Sequence, residues 1–290
     1  MWGMILQLLV IGVSMGMVYA FMAMGVILLV RAVGVMNFAQ GDILMLGSFI
    51  TFGLFFQMKM PFFVAMLVSL VVFAIGGVAF MFAVYWPLRK ATWGATVVIS
   101  TMGASIVLRE GVKYIWGTIP LPMDPIVKGV IVVGTARLEY QYLIIIAVGI
   151  VFISGVFLLF EKLYAGRAMQ AAAQDKYAAE LLGIPTIKTT MATYIISIAL
   201  ACTGGFLVAP LFLVSITLGV MQLKAFAGIV IGGFGNIKGA VIGSIIVGLV
   251  ESYSTLFTST YKDAMVFLVL ILFLVVRPQG IYGERIAEKA

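Results

Sequence analysis

From residue 4 to residue 30 the chain carries no charged side chain. A helix needs roughly 20 apolar residues to cross a hydrocarbon core of about 30 Å, so this stretch alone commits the chain to a bilayer. Comparable runs follow at 62–86, 94–108, 142–160, 191–213 and 264–276, with a shorter one at 43–56 and a glycine-rich one at 224–250. Only 10% of residues are charged and 63% are hydrophobic, whereas an ordinary globular chain is about a quarter charged and about half apolar. No polar block is left that could fold by itself. The sequence predicts one membrane domain over residues 1–290. Its fold class is an all-α polytopic integral membrane protein of about eight transmembrane helices, within a range of about seven to nine. At about 1.5 Å per residue the run 43–56 reaches only about 21 Å. Either it borrows Gln57 and Met58 or the backbone breaks within the membrane, and discontinuous or re-entrant segments are expected near 31–42 and 224–250.

The polar residues exclude several chemistries. There is no histidine, and the single cysteine, Cys202, lies inside an apolar run, so His-metal sites, thiolate clusters and an intrachain disulfide are ruled out. No metal, cofactor or catalytic residue is called for. The net charge of +7 is spread between apolar segments and reads as a topology signal rather than a nucleic-acid surface. The first residues lack a positive n-region, so the first helix is expected to be retained as its own insertion signal. Lys and Arg favour the side that holds Arg31, Arg89, Lys162, Arg167, Lys176, Lys188 and Arg277, predicting that side to be cytoplasmic. The N-terminus is then outside and the C-terminus inside. Residues 161–190 become a cytoplasmic loop, and 109–141, with Pro120, Pro122 and Pro125, an extracytoplasmic one. Glu251, Lys262 and Asp263 are expected at membrane edges as solvated charges.

Three stretches can carry function. Between two apolar runs lie Asn37, Gln40, Gly41 and Asp42. Broken backbone at membrane depth is tolerated where it meets protein or a water-filled cavity, which suggests that these residues line a path. The alternative is an interfacial turn with Asp42 as a helix cap. The second stretch holds Gly228, Gly232, Gly235, Asn236, Gly239 and Gly243. Glycines four apart let helix backbones approach closely in lipid, and a packed break beside the path is the functional counterpart. The Lys-Ser/Thr ending of a nucleotide loop is missing. The third runs from Gly166 to Pro185. Its alanines favour helix, Gly183 is placed to end it, and Arg167 in its first turn opposes the helix dipole. A helix docking a soluble partner fits best, with a plain structural loop as the alternative.

Together these stretches resemble the branched-chain amino-acid ABC transporter permease family, specifically its shorter permease subunit. The resemblance rests on Tyr19, Ala20, Ala23, Gly25, residues 35–41, Leu46 and Gly47. It continues through Gly166, Arg167, residues 171–173, Asp175, Ala178, Ala179 and 182–184, then Lys224 to Phe226, Gly232, Gly233, Gly235, Gly239 and Gly243, and ends on 277–280. One departure is Gln40, where the family usually carries histidine. The resemblance implies a permease domain in a prokaryotic inner membrane that forms the path for leucine, isoleucine and valine. It implies as partners two ATP-binding subunits, a second related permease and an extracytoplasmic substrate-binding protein. Docking then falls to the coupling helix through Gly166, Arg167, Ala171, Asp175, Ala178, Leu182 and Gly183. Asn37, Gln40, Gly41, Asp42, Gly235, Asn236 and Gly239 are assigned to the path and its helix breaks. Urea or short amides are alternative substrates, and a stand-alone channel or ion-coupled transporter is the rival class.

Overall fold

The computed structural model describes residues 2–89, 95–125 and 127–283. Six helices among the described residues are long and apolar enough to cross a membrane. They are α1 (Trp2–Val33), α3 (Phe62–Phe80, prolonged by irregular turns to Leu88), α4 (Ala95–Trp116), α5 (Tyr140–Lys162), α8 (Thr186–Val208) and α10 (Ile237–Ser254). Shorter apolar helices α2 (Gln40–Phe52), α9 (Met221–Gly232) and α11 (Lys262–Val276) run beside them, while α6 (Tyr164–Gln174) and α7 (Lys176–Leu181) join α5 to α8. The chain is therefore an all-α polytopic membrane protein. Among the described residues the sheet content is one hairpin, β1 (Val130–Val133) with β2 (Ala136–Glu139), which pairs Val130 with Glu139.

Close glycine contacts give the direction of each helix. Gly12 and Gly16 of α1 meet Leu249 and Ile245 of α10, so these two helices are antiparallel. Gly228 and Gly232 of α9 lie against Ser244 and Gly239 of α10, so α9 runs parallel to α1. Gly47 and Gly205 set α2 beside α8, with Leu44 and Ser48 at the level of Gly205. A Cβ on these glycines would strike the facing backbone, which is the small-residue packing that substitutes for a hydrophobic driving force in lipid. The core is centred on α1, whose residues 14–29 are buried almost without interruption.

Two of the shorter helices, α2 and α9, start in mid-bundle. After α1 the chain turns back, and Gln40, the first residue of α2, donates to the carbonyl of Ser197 at 3.0 Å. Ser197 lies midway along α8. From there α2 runs parallel to α8 and continues through a π-helical turn to Gln57, so residues 43–56 both gain length and follow a break. After α8, Val214 forms a two-bond bridge to Leu121 of the α4–β1 connection. The chain then re-enters through a 3-10 turn, Ile216–Val220, into α9. The α2 and α9 N-termini thus face each other and the two helices point apart.

Several boundaries differ from expectation. Helix α4 continues through Arg109 to Trp116, because Arg109 has a carboxylate partner and Lys113 pairs with Glu110 one turn away. The non-helical connection is therefore 117–139 and not 109–141. The 161–190 segment starts as the last turn of α5 and ends inside α8, which opens at Thr186. The glycines at 235 and 239 frame the tight turn between antiparallel α9 and α10, with Gly233 at φ +105° and Gly235 at φ +88°. The second mid-bundle break instead precedes α9.

Two substitutions test the packing. Gly243→Leu or Gly239→Leu forces a side chain into the α9 backbone and is expected to cost about 3 kcal/mol. A Cβ at Gly76 of α3 meets nothing within 4 Å, and Gly76→Leu should cost under about 1 kcal/mol. Thermal unfolding of the detergent-purified protein distinguishes them.

Candidate functional site

At the mid-bundle break, α2 begins without a conventional cap. Ala39 makes no side-chain capping bond; instead Asn37 Oδ1 accepts from the Ala39 N–H at 3.0 Å. Gln222, in the first turn of α9, accepts from the Gly41 N–H through Oε1 at 2.7 Å. Phe38 N–H donates to Thr101 Oγ1 at 3.1 Å. Three donors of a helix entrance at membrane depth are thereby satisfied by side chains from α4, α9 and the connection itself, as a low-dielectric setting requires. Gln40 is wholly buried. It accepts from Asn37 Nδ2 at 3.2 Å and donates to Ser197, so an amide fills this place with no titratable proton.

Asp42 does not cap α2. It sits in the first turn, where the helix dipole favours an anion, with a side chain 4% exposed. Its carboxylate accepts from Arg109 Nε at 3.1 Å and Nη2 at 3.0 Å, and from the Ser105 hydroxyl. Thr101, Ser105 and Arg109 are four residues apart on α4 and so share one face. That polar stripe was visible in the sequence, but placing Arg109 on a loop concealed it. Gly41 and Gly219 are required by contact: a Cβ on Gly41 would meet the Gly219 carbonyl and Gln222, and one on Gly219 would meet Asp42. Arg109 keeps 44% of its side chain exposed. It opens onto a face where Phe38 stacks on Phe226 at 6.0 Å between ring centroids, and where Thr217, Val220 and Leu223 are exposed.

The structure brings together Asn37, Gln40, Gly41 and Asp42, and adds Ser105, Arg109, Ser197 and Gln222. It does not join Gly235, Asn236 and Gly239 to them, since the length of α9, about 18 Å, lies between. Asn236 caps α10, accepting from the Gly239 N–H at 3.1 Å. Glu251 is another departure. It is not solvated but buried, paired with Lys224 at 2.6 Å.

The expected helix from Gly166 to Gly183 is two helices. Asp175 leaves helical geometry at φ −150° and caps α7, accepting from the Ala178 N–H at 2.9 Å. Asp competes for backbone donors in this way wherever a helix can restart. Gly166 lets α6 fold onto the last turn of α5, where any Cβ would collide with the Leu159 carbonyl. Arg167 donates to the Lys162 carbonyl at 3.2 Å, Ala171 is half-buried, and Ala178 is exposed. Gly183 ends the pair at φ +80°. Tyr164, Tyr177, Leu181 and Leu182 are exposed there, Leu182 by 81%.

Helices interrupted in mid-bundle, with polar side chains satisfying the freed backbone, are a recurrent construction in membrane transport proteins. The chain belongs to the family described as branched-chain amino acid transport system / permease component, whose model matches residues 8–274. It is 30% identical to the high-affinity branched-chain amino acid transport system permease protein LivH of Escherichia coli, over 98% of this chain and 97% of the relative. It is equally similar, at 30% and the same coverage, to the corresponding protein BraD of Pseudomonas aeruginosa. Among solved structures, PsaBC from Streptococcus pneumoniae in complex with Fab aligns over 95% of this chain with a TM-score of 0.49 and 13% identity.

Removing Arg109 leaves the buried Asp42 carboxylate without its cation. Arg109→Leu is expected to destabilise the protein by about 2–3 kcal/mol. In the double variant Asp42→Asn/Arg109→Leu the cost should be smaller than the sum of the single costs. Thermal unfolding of the four proteins of the cycle provides the check.

Proposed function

We propose that this chain is the membrane-spanning permease subunit of an ABC importer. It forms one wall of a path for branched-chain amino acids delivered by a substrate-binding protein, and partner ATPases drive it. The carrying observation is Arg109: a guanidinium exposed by 44% on the side of the bundle beside a buried carboxylate. Lipid tails cannot solvate such a group, so protein or water covers that face. A second related permease supplies the cover, and the polar break lies between the two. Asn37, Gln40, Gly41 and Asp42 then border the path together with Gln222 and Arg109, while Gly235, Asn236 and Gly239 hold the turn that positions α9. The membrane is the inner membrane of a prokaryote, with the N-terminus outside and the α6–α7 end in the cytoplasm.

At that end the exposed Tyr177, Leu181 and Leu182 fit an apolar cleft of an ATPase subunit, with Arg167 and Asp175 setting the shape of the two helices. Leu182→Asp is expected to weaken ATPase binding by at least about tenfold, since a fully buried leucine contributes about 2 kcal/mol. The replacement of both Arg167 and Asp175 by alanine should raise ATP hydrolysis per solute imported. Co-purification and ATPase-to-uptake ratios in proteoliposomes are the readouts, and an intact, fully coupled complex from both variants overturns the docking assignment.

The deciding experiment reconstitutes the chain with and without a second permease, an ATPase pair, a binding protein and ATP. Uptake of leucine, isoleucine, valine, urea and short amides is then measured. ATP-dependent uptake of the three branched-chain amino acids is expected. Uptake by the chain alone without ATP would overturn the permease-subunit reading in favour of a stand-alone channel or ion-coupled transporter.

A further inference from the structure

Helix α9 carries a lysine, Lys224, in its first turn, where the helix dipole disfavours a cation. It is also buried, at 10% side-chain exposure, in a bundle where an ionised group is costly unless paired. Its ammonium lies 2.6 Å from Glu251 Oε1 of α10 and 2.8 Å from Asp263 Oδ1 of α11. Glu251 also accepts from the Tyr19 hydroxyl of α1 and lies 3.4 Å from Lys262 Nζ. Two cations and two anions are balanced, and four helices meet at one cluster. Gln222, which holds the Gly41 N–H, is two residues from Lys224. At about 100° per residue the two side chains leave opposite sides of α9.

We propose that Lys224 is a positioning residue of the path. Its pairs with Glu251 and Asp263 anchor the back of α9, and this fixes Gln222 and Gly219 against Gly41 and Asp42 at the front. The arrangement can also release. If Lys224 withdraws, Glu251 keeps Lys262 and Tyr19 as partners, so no buried carboxylate is stranded. A cavity of about 150 Å³ between α1, α10 and Lys262, bordered by Leu8, Met15, Glu251 and Ser252, lies on the far side of Glu251 from α9. The cluster is a second contact point at which α9 can shift relative to α1, α10 and α11.

The inference rests on the transport reading, and its test separates the two. Phe38→Cys and Phe226→Cys, at the stacked ring pair, are joined in native membranes by a short bifunctional methanethiosulfonate; Cys202 is buried and does not compete. Lys224→Met should lower the cross-linking yield by about fivefold or more and Lys224→Arg should restore it, as expected when a geometry depends on one ion pair. Without the introduced cysteines, Lys224→Met in the full complex should lower the maximal uptake rate by about tenfold at unchanged KM. A wild-type cross-linking yield in Lys224→Met overturns the positioning role, even if the variant is less stable. Should Lys224→Met not reach the membrane, Glu251→Gln, which removes the buried partner 2.6 Å from Lys224 and leaves an amide oxygen to accept from Tyr19, carries the same expectation, and an unchanged yield there overturns it. If the unmodified complex imports nothing, the transport reading fails while the cross-linking comparison still stands.

Discussion

The bond from the Gly41 N–H to Gln222 is the contact on which the centre of this molecule depends. A helix that begins inside a bilayer exposes donors that neither water nor lipid can satisfy. Here the side chain of one entering helix answers the backbone of the other. This requires the two entrances to touch, so Gly41 and Gly219 carry no Cβ. It also requires both helices to be short, since each starts at mid-depth. The long helices α1 and α8 are the walls against which the short ones are placed, and their own small residues, Gly25 and Ser197 among them, admit Gln40.

The ionised groups follow the same economy. Asp42 with Arg109, and Glu251 with Lys224, place charge beside the entrances of α2 and α9 respectively. The first anion suits the positive end of its helix, whereas the lysine of the second does not. It is retained there by carboxylates on α10 and α11. Such pairs contribute little net stability, because desolvation offsets their attraction. What they supply is placement: they fix which faces of α2 and α9 meet, and apolar contacts alone would leave that adjustable by a rotation.

The helical membrane architecture was legible in the chain because apolar runs of bilayer length leave no alternative. The break at 37–41 was half legible: Asn, Gln and Gly between two such runs mark an interruption, but an interfacial turn capped by Asp42 would leave the same pattern. Only the bonds of Gln40 to Ser197 and of Asp42 to Arg109 decide it. The break before α9 was not: residues 209–220 are almost entirely apolar and look like the end of a span. The eye falls instead on the glycines at 233–239, which make an ordinary tight turn. Arg109 and Glu251 were misplaced for the same reason. A charge at the end of an apolar run reads as the membrane edge unless its partner is known, and the partners are 67 and 27 residues distant. In the sequence Asp175 reads as a docking residue inside one continuous helix, whereas its bond to the Ala178 N–H makes it the cap of a second helix.

The sequence by itself determined that this chain lives in a membrane, that its spans are helical, where glycine lets helices approach, and which family it resembles. Those properties are local: they follow from run length, residue size and short motifs. Only the tertiary structure decided that α2 and α9 enter from opposite ends and meet, that Gln222 completes the entrance of α2, and that Lys224 is held from behind. Those properties join residues far apart in the chain. In a nearly uniform apolar sequence, each isolated polar residue has several partners it could reach, and packing alone selects one.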